Sequence, residues 1–322
     1  MLQYLIIHLD DTSASYCHYE NNKKEHNLIS LDDLKAGILY AMKENLMIQM
    51  VYPDYQLPKG YEATIETIDH VKIKPITQST DANVVVIDSW NDLDSLKADK
   101  EIAYVLRTGK TSFFENYAKI APILDEVSRL NVVVKDIESF TDDDFAKYKT
   151  ILGEMASKVK DCYENNHAVQ LNLLTDRMML DKMNNCNAGW ESITLAPDGR
   201  FYVCPAFYLA DDNEDFGIGK AKFSVGDLES GLDIKNPQLY RLDHAPLCRK
   251  CDAYQCRRCV WLNRKTTYEV NTPSHEQCVV AHIERNASRN LLASIRTLGT
   301  FLPDKEIKEI DYLDPFDVKE EY

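Results

Sequence analysis

The sequence has 322 residues, of which 44% are hydrophobic and 28% charged, and its formal net charge is −15. This composition is typical of a globular protein with room for two domains. The acidic balance argues against nucleic acid and against an anionic membrane surface as partners. The N-terminal MLQYLIIHLDD is too short for a membrane span and lacks the basic flank of a signal peptide. We therefore expect a cytoplasmic protein with no nucleic-acid and no membrane partner.

Short apolar runs alternate with helical patterns from the N-terminus to about residue 175. The runs predict six strands, which are Leu2–His8, Met47–Tyr52, Val84–Ile87, Ile102–Leu106, Val132–Val134 and Val169–Leu174. Strands that alternate with helices form a parallel sheet with right-handed crossovers. Periodicity alone leaves open whether six such units form a partial barrel or a doubly wound sheet. The segment VKIKPITQSTDA at 71–82 fits neither element and is expected to be an extra hairpin or a loop.

Helices are predicted where apolar residues recur at intervals of three and four. Ser30 and Thr141 each precede an aspartate three positions later, which is a variant of the capping box. The predicted helices begin at Ser30, cover Pro58–Asp69, lie near Trp90–Leu96, cover Phe113–Val127 and begin again at Thr141. Pro122 is expected to kink or divide the fourth of them, because proline has no backbone N–H to donate.

The polar loop after the first strand, Asp10–His18, is the candidate working loop of this half. In parallel α/β sheets, sites lie at the carboxyl ends of strands. The loop contains Cys17 and His18, but adjacent side chains of an extended loop point apart, which disfavours a nucleophile–base pair. A solvated surface loop is the alternative. No glycine-rich phosphate loop follows any of the predicted strands, so a nucleotide site lacks support.

Nine cysteines are distributed unevenly along the chain. Cys17 and Cys162 stand alone, and the other seven fall between residues 186 and 278. Those seven are Cys186, Cys204, Cys248, Cys251, Cys256, Cys259 and Cys278. Because thiols stay reduced in the cytoplasm, clustered cysteines there indicate a metal site rather than disulfides. The asymmetry also predicts a domain boundary near residue 180.

The densest part of this pattern is Cys248-x2-Cys251-x4-Cys256-x2-Cys259. Anionic thiolates are soft ligands that suit zinc or iron–sulfur clusters, and basic neighbours stabilise them. Those neighbours are Arg249, Lys250, Arg257, Arg258 and Arg264. Seven thiols exceed one four-sulfur site and fall short of two, so the count leaves zinc and iron both open.

The three outlying cysteines lie near predicted secondary structure. Cys186 and Cys204 flank two β-rich runs joined by Pro197-Asp198-Gly199, which predicts a hairpin. Cys278 lies near the start of a helix that is expected to end near Leu298. His244, His275 and His282 are near cysteines and are candidate ligands, although a surface position is the favoured interpretation for each.

The order of the cysteines, with Gly199 four residues before Cys204, resembles the SPASM domain, the auxiliary iron–sulfur domain of radical SAM peptide maturases. Two of the three central spacers, those after Cys251 and after Cys256, are one residue shorter than in that pattern. The resemblance implies that Cys186, Cys204 and Cys259 hold one cluster. It implies that Cys248, Cys251, Cys256 and Cys278 hold a second. A ferredoxin-like division, Cys251-x4-Cys256-x2-Cys259 with Cys278, is the alternative.

The whole chain resembles the CXXX-repeat peptide maturase family. The resemblance rests on YLIIHLDDTSASYCHYE, on LISLDDLKAGILYAMKENLMIQMVYPDY and on CRKCDAYQCRRCVWLNRKTTYEVNTPSHEQC. Radical SAM enzymes hold their catalytic cluster by Cys-x3-Cys-x2-Cys after the first strand. Here Asp10, Ala14 and Cys17 have that spacing, and Tyr52-Pro53-Asp54-Tyr55 replaces the family's Gly-Gly-Glu.

The resemblance implies a partial (βα)6 TIM-like barrel of radical SAM type, degenerate in its cluster loop, over residues 1–180. A SPASM-like domain would cover 181–290, and the end of a helix and an acidic tail would cover 291–322. The expected function is that of an accessory protein carrying one or two iron–sulfur clusters, most simply [4Fe–4S]. It would act with a separate radical SAM enzyme on a ribosomally made cysteine-repeat peptide, and no S-adenosylmethionine is expected to bind. The alternatives are a zinc-stabilised binding scaffold and an enzyme whose site is the Asp10–His18 loop.

Overall fold

The structure is a computed structural model that describes residues 2–209 and 223–308. The strands in chain order are β1 (Tyr4–His8), β2 (Met47–Val51), β3 (His70–Pro75), β4 (Val84–Ile87), β5 (Ala103–Thr108), β6 (Arg129–Val134), β7 (Gln170–Leu171), β8 (Ser192–Leu195), β9 (Arg200–Tyr202), β10 (Ser224–Asp227) and β11 (Gly231–Leu232). Part of the acidic tail predicted within 291–322, from residue 309 onward, lies outside the described residues.

Helices lie between and after these strands. They are α1 (Leu31–Glu44), α2 (Lys59–Ile65), α3 (Trp90–Asp94), α4 (Lys110–Asn116), α5 (Ile120–Ile123), α6 (Asp142–Glu164), α7 (Asp176–Met179), α8 (Pro205–Leu209), α9 (Val260–Thr267) and α10 (His275–Arg296). Short 3-10 helices cover Ile76–Gln78, Tyr117–Lys119, Ile137–Ser139, Pro237–Tyr240 and Leu242–His244.

The chain divides into two compact units. Unit 1 comprises Met1–Val86 and Asn187–His244, and unit 2 comprises Ile87–Cys186 and Ala245–Tyr322. Both units therefore draw on residues from both sides of position 180. The predicted division into domains at 180 and 290 stays a prediction.

Unit 1 is built on a sheet with the strand order β11-β10-β9-β8-β1-β2-β3-β4. The strands from β8 through β1 to β4 are parallel to their neighbours, and β9 to β11 are antiparallel. Helix α1 packs its apolar face, Leu34, Ile38 and Ala41, into the same core as β1. Gly37 lies on that face, where a Cβ atom would collide with the Leu195 side chain.

Unit 2 combines the parallel strands β5, β6 and β7 with the long helices α6 and α10. Helix α6 begins after Thr141, whose side chain and that of Asp144 form a complete capping box. The ring centroids of Phe113 and Tyr148 lie 5.8 Å apart in its core. The Tyr148 hydroxyl donates to Glu284 Oε1 at 2.8 Å, which joins α6 to α10.

Most predicted elements are confirmed. The hairpin is formed by β8 and β9, and its turn residue Gly199 has φ +74°, a conformation that glycine adopts without strain. The helix expected to end near Leu298 is present as α10, which ends at Arg296. The predicted helix Phe113–Val127 is divided, as expected, although the division begins at Tyr117, before Pro122.

The prediction of a hairpin or loop at 71–82 is wrong for residues 71–75, which belong to β3 and pair in parallel with β2. A short 3-10 helix and irregular chain cover 76–82. In β3, Val71 and Ile73 alternate with Lys72 and Lys74, and the strand ends at Pro75. Because this alternation is short and stops at a proline, the sequence did not indicate a strand here. Lys72 contacts both Glu66 and Asp81, so its ammonium group is neutralised at the sheet. The predicted last strand, Val169–Leu174, is reduced to the two residues of β7.

Candidate functional site

The cysteine-rich segment of unit 2 folds as a series of backbone turns. Cys248 N–H donates to the Ala245 carbonyl at 3.0 Å, and Cys251 N–H to the Cys248 carbonyl at 3.0 Å. Cys256 N–H donates to the Ala253 carbonyl at 2.9 Å. These turns bring three thiols close enough that charge on Cys248 or Cys251 raises the pKa of Cys256.

Cys186 joins this segment through the backbone. Its N–H donates to the Arg257 carbonyl at 2.7 Å, and the N–H of Asn184 donates to the Tyr254 carbonyl at 2.7 Å. The two hydrogen bonds hold residues 184–186 alongside the cysteine segment. Cys186 therefore lies beside the cysteine segment within unit 2, and its role as a ligand stays a prediction.

A buried arginine, Arg258, lies among these thiols. Its side chain is 0% exposed, and its Nε donates to Asn185 Oδ1 at 2.6 Å. Burial lowers the pKa of the guanidinium, while charge on the nearby sulfurs of Cys248, Cys186 and Cys256 raises it. A guanidinium in this position stabilises thiolates and anionic sulfur-ligated centres.

Burial keeps the same thiols protonated when no metal is bound. It raises the pKa of Cys248 to about 11 and of Cys256 to about 12, and it also raises the pKa of Cys251. Metal binding to such thiols releases their protons. Within residues 2–209 and 223–308, no three His, Cys, Asp or Glu side chains are grouped closely enough to hold a metal ion. The donors are nonetheless soft sulfurs beside a buried cation, and their chemistry fits zinc or an iron–sulfur cluster.

Asp252 anchors the cysteine segment through two buried arginines that sequence reasoning missed. Arg285 donates from Nε at 2.9 Å and from Nη2 at 2.7 Å to Asp252 Oδ2. Arg177 Nη2 lies 3.6 Å from the same oxygen, and its guanidinium covers the Tyr254 ring at 4.3 Å. The partners are distant in sequence, so no local pattern could have indicated the cluster.

His282 contacts the cysteine segment from α10. Its Nε2 lies 3.5 Å from Cys251 Sγ, and its Nδ1 lies 2.6 Å from the Cys278 carbonyl oxygen. The ring is half-buried. His282 is thus less exposed than His244, which lies on the surface as expected.

A partly buried carboxyl group lies next to this region. Glu284 accepts from the Tyr148 hydroxyl at 2.8 Å and from Gln255 Nε2 at 3.4 Å. Burial raises the pKa of Glu284 to about 7. Gln255 also donates to the Ala281 carbonyl at 2.6 Å, which fastens the cysteine segment to α10. No sequence pattern indicates this acid.

The remaining predicted ligands lie at helix ends. Cys259 is the N-cap residue of α9, and Cys278 lies in the first turn of α10, whose N-cap Ser274 accepts from Gln277 N–H. Cys204 belongs to unit 1, where it precedes α8. All nine cysteines are present as thiols.

The loop after β1 in unit 1 is closed by its own hydrogen bonds. Asp10 is 0% exposed, which excludes the solvated loop at this residue. Its Oδ1 accepts from Thr12 N at 2.8 Å and Thr12 Oγ1 at 2.6 Å. Its Oδ2 accepts from the Tyr55 hydroxyl at 2.9 Å, and the His26 ring lies edge-on to Tyr55 at 4.5 Å.

Asp11 is held in a second set of contacts within unit 1. The Tyr208 hydroxyl donates to its Oδ1, and Asn21 Nδ2 donates to its carbonyl at 2.8 Å. Ser13 Oγ donates to the Val51 carbonyl at 2.9 Å, which ties the loop to β2. The loop is therefore a folded part of unit 1.

Comparison with known proteins gives a fold. No family model matches the chain, and no curated protein matches it. The solved structure of anSMEcpe with bound AdoMet matches with a TM-score of 0.62 at 10% identity, covering 92% of this chain and 100% of that one. The same protein with bound AdoMet and Cp18Cys peptide gives 0.57 at 10% identity, with coverage of 92% and 100%. SuiB of Streptococcus suis bound to the precursor peptide SuiA gives 0.47 at 12% identity, with coverage of 86% and 76%.

At these identities the likeness shows the fold. The predicted fold class is confirmed, since the chain has the α/β fold of radical SAM enzymes with a SPASM domain. The partial barrel is thereby favoured over a doubly wound sheet. In the described part of the chain, no helix has the length and apolarity that crossing a membrane requires.

Proposed function

We propose that this chain is an accessory protein in the maturation of a ribosomally synthesised peptide with repeated cysteines. It works beside a separate radical SAM enzyme, as a member of the CXXX-repeat peptide maturase family, and does not itself cleave S-adenosylmethionine. Its place of action is the cytoplasm, where thiols stay reduced.

The observation that carries this proposal is the position of Asp10 and the hydrogen bonds that its carboxylate accepts. Asp10 stands where the first cysteine of the radical SAM cluster motif would stand, and both of its carboxylate oxygens accept hydrogen bonds from Thr12 and Tyr55. A [4Fe–4S] cluster needs thiolate ligands, and of this motif only Cys17 remains. The loop therefore serves to fold unit 1 and lacks the ligands to hold a catalytic cluster.

The cysteine module is proposed to hold one or two iron–sulfur clusters. Its ligands are Cys186, Cys204, Cys248, Cys251, Cys256, Cys259 and Cys278. The bound clusters would supply electron transfer or a place for substrate thiolates. Arg258 places a positive charge beside the thiols of Cys186, Cys248 and Cys256, and the Asp252 anchor holds the segment in place.

The proposed partners are the radical SAM enzyme and the precursor peptide. A protein of the same fold, anSMEcpe, has been solved with a bound peptide, which supports peptide binding by this chain. The predicted barrel, residues 1–180, is proposed to bind the peptide or the enzyme instead of cleaving S-adenosylmethionine.

The test is anaerobic reconstitution of the full chain followed by metal analysis and a reductive S-adenosylmethionine assay. We expect a brown protein with roughly four irons per cluster and no formation of 5′-deoxyadenosine. A synthetic cysteine-repeat peptide should keep its mass with this chain alone and change only when the partner enzyme is added. A Cys162→Ser variant is the matched control, because Cys162 is buried in α6 outside the module.

Two results would overturn the proposal in different ways. Formation of 5′-deoxyadenosine by the isolated chain would make it an enzyme in its own right. A colourless protein that retains stoichiometric zinc and takes up no iron would replace the cluster assignment by a zinc-stabilised binding scaffold.

A further inference from the structure

We propose that His282 binds the same metal centre as Cys251, so that the centre in unit 2 has mixed thiolate and imidazole coordination. The inference rests on the proposed metal-binding role of the cysteine module. It adds a ligand that the cysteine pattern does not contain.

The orientation of the His282 ring is fixed by its other nitrogen. Nδ1 lies 2.6 Å from the Cys278 carbonyl oxygen, and a carbonyl only accepts, so Nδ1 carries the proton. In the neutral ring, Nε2 then presents a lone pair, and it lies 3.5 Å from Cys251 Sγ. Metal-binding histidines characteristically donate from one nitrogen to a carbonyl and bind the metal with the other.

The distance between the two donor atoms also fits a shared metal ion. Tetrahedral zinc, with bonds of about 2.3 Å to sulfur and about 2.0–2.1 Å to nitrogen, separates two such ligands by about 3.5 Å. The separation of Cys251 Sγ from His282 Nε2 is 3.5 Å.

Both donors sit on parts of the chain that are held firmly in place. His282 is inside α10, which runs from His275 to Arg296. The Cys251 sulfur accepts from Ala253 N–H at 3.4 Å, and its neighbour Asp252 is bound by Arg285. Gln255 bonds the cysteine segment directly to α10 through the Ala281 carbonyl. Ligands on rigid elements keep the geometry that metal binding needs.

The assignment changes the role expected for Cys278. Its carbonyl orients His282. The other ligands are proposed to be Cys248 and Cys256, which would move toward the ion when it binds, because no three such side chains of the described residues are grouped closely enough beforehand. A centre of this kind is either zinc with three sulfurs and one nitrogen or an iron–sulfur cluster with one histidine. In an iron–sulfur cluster, histidine in place of cysteine raises the reduction potential.

The experiment uses the full chain, prepared without metal under anaerobic conditions and titrated with Co2+. We compare the wild type with His282→Ala and His282→Cys, and with His275→Ala, a histidine in the first turn of the same helix, as the control. Loss of even an orienting partner weakens metal binding about 10–100-fold, so His282→Ala is expected to lose at least about tenfold in affinity. His282→Cys should bind with the absorption spectrum of an all-sulfur site, and His275→Ala should match the wild type.

A second measurement applies to the iron-loaded protein. Pulsed EPR of the reduced centre should show coupling to a histidine nitrogen in the wild type and in His275→Ala but not in His282→Ala. Unchanged Co2+ affinity and spectrum in His282→Ala, with no nitrogen coupling in the wild type, would overturn the inference and leave the cluster proposal standing. Uptake of Co2+ that depends on His282, in a chain that takes up no iron, would do the reverse.

Discussion

Two buried polar side chains, Asp10 in unit 1 and Arg258 in unit 2, differ in what surrounds them. Asp10 accepts hydrogen bonds from Thr12 and Tyr55, which belong to its own loop and to the chain after β2. Arg258 donates to Asn185 and lies near the thiols of Cys186, Cys248 and Cys256. Burial raises the pKa of Cys248 and of Cys256. Both oxygens of the Asp10 carboxylate accept hydrogen bonds from the protein. The Arg258 guanidinium lies near thiols, which become anionic only when they lose a proton.

This difference distinguishes the loop after β1, whose carboxylate is hydrogen-bonded within unit 1, from the cysteine segment, where a bound metal centre would add negative charge next to an arginine. Buried charges cost free energy unless they are paired or hydrogen-bonded. In the loop after β1, the hydrogen bonds to Asp10 offset this free-energy penalty. In the cysteine segment, an anionic sulfur-ligated centre would reduce the cost of burying Arg258. The comparison therefore predicts that variants in the two regions respond differently to metal.

The largest effect is expected for Asp252→Asn. The substitution removes the negative charge between Arg285, which is 2% exposed, and Arg177, which is 4% exposed. Removing one partner of a buried ion pair costs 3–5 kcal/mol, and about 3 kcal/mol is expected here because Asp252 keeps some contact with water. The free energy of unfolding of the metal-free chain, from urea denaturation followed by circular dichroism, measures the loss.

Asp181→Asn is the matched control for this prediction. Asp181 also contacts a cation in unit 2, Lys305, but its side chain is 93% exposed. Exposed ion pairs contribute about 0–1 kcal/mol, so this variant should be nearly as stable as the wild type. Equal losses in the two variants would show that the cysteine segment is not anchored by its buried arginines.

Arg258→Met is expected to affect metal binding more than stability. Hydrogen bonds and contacts to a charged group contribute about 2 kcal/mol, so the affinity for metal should fall roughly thirtyfold. The metal-free chain should unfold within about 1 kcal/mol of the wild type, because replacing a buried charge by an apolar side chain of similar volume is often neutral. Metal competition titration and urea denaturation measure the two quantities.

The neighbouring Arg257 provides the control for Arg258. Its side chain is exposed, and Arg257→Met leaves the backbone carbonyl that accepts from Cys186 N–H intact. Metal affinity should be that of the wild type. If Arg258→Met destabilised the metal-free chain as much as it weakened metal binding, the arginine would be a structural group and the contrast with Asp10 would disappear.

The sequence predicted the fold where the signals are local. The capping box at Thr141 and Asp144, the Pro-Asp-Gly turn and the apolar stripe of α1 all depend on residues within a few positions of each other. Strand β3 was missed because its alternation of Val71 and Ile73 with Lys72 and Lys74 is short and ends in Pro75. The ion pairs of Lys72 with Glu66 and Asp81 could not be read from that pattern. Local patterns therefore predicted the element order more reliably than the partners of charged groups.

The candidate site was predictable only in its ligand types. Cysteine spacing indicated a sulfur-rich metal site, and the basic residues around it were visible in the sequence. The arginine pair on Asp252, the acid at Glu284 and the contact of His282 with Cys251 join residues that are 29 to 136 positions apart. No spacing rule covers such pairs. Which of five nearby basic residues is the buried one, Arg258, also follows from packing alone.

The smallest effect is expected for Asp10→Asn in unit 1. An amide can accept from Thr12 and can reorient its NH2 group toward the Tyr55 hydroxyl, so the pattern of contacts survives while the charge is lost. Charge-assisted hydrogen bonds are roughly twice as strong as neutral ones, and a loss of about 1 kcal/mol in unfolding free energy is expected. The exposed Asp54→Asn should show no loss. Iron content after reconstitution should be unchanged in both variants, because the loop is completed by its own hydrogen bonds; a fall in iron confined to Asp10→Asn would mean that this carboxylate takes part in metal binding.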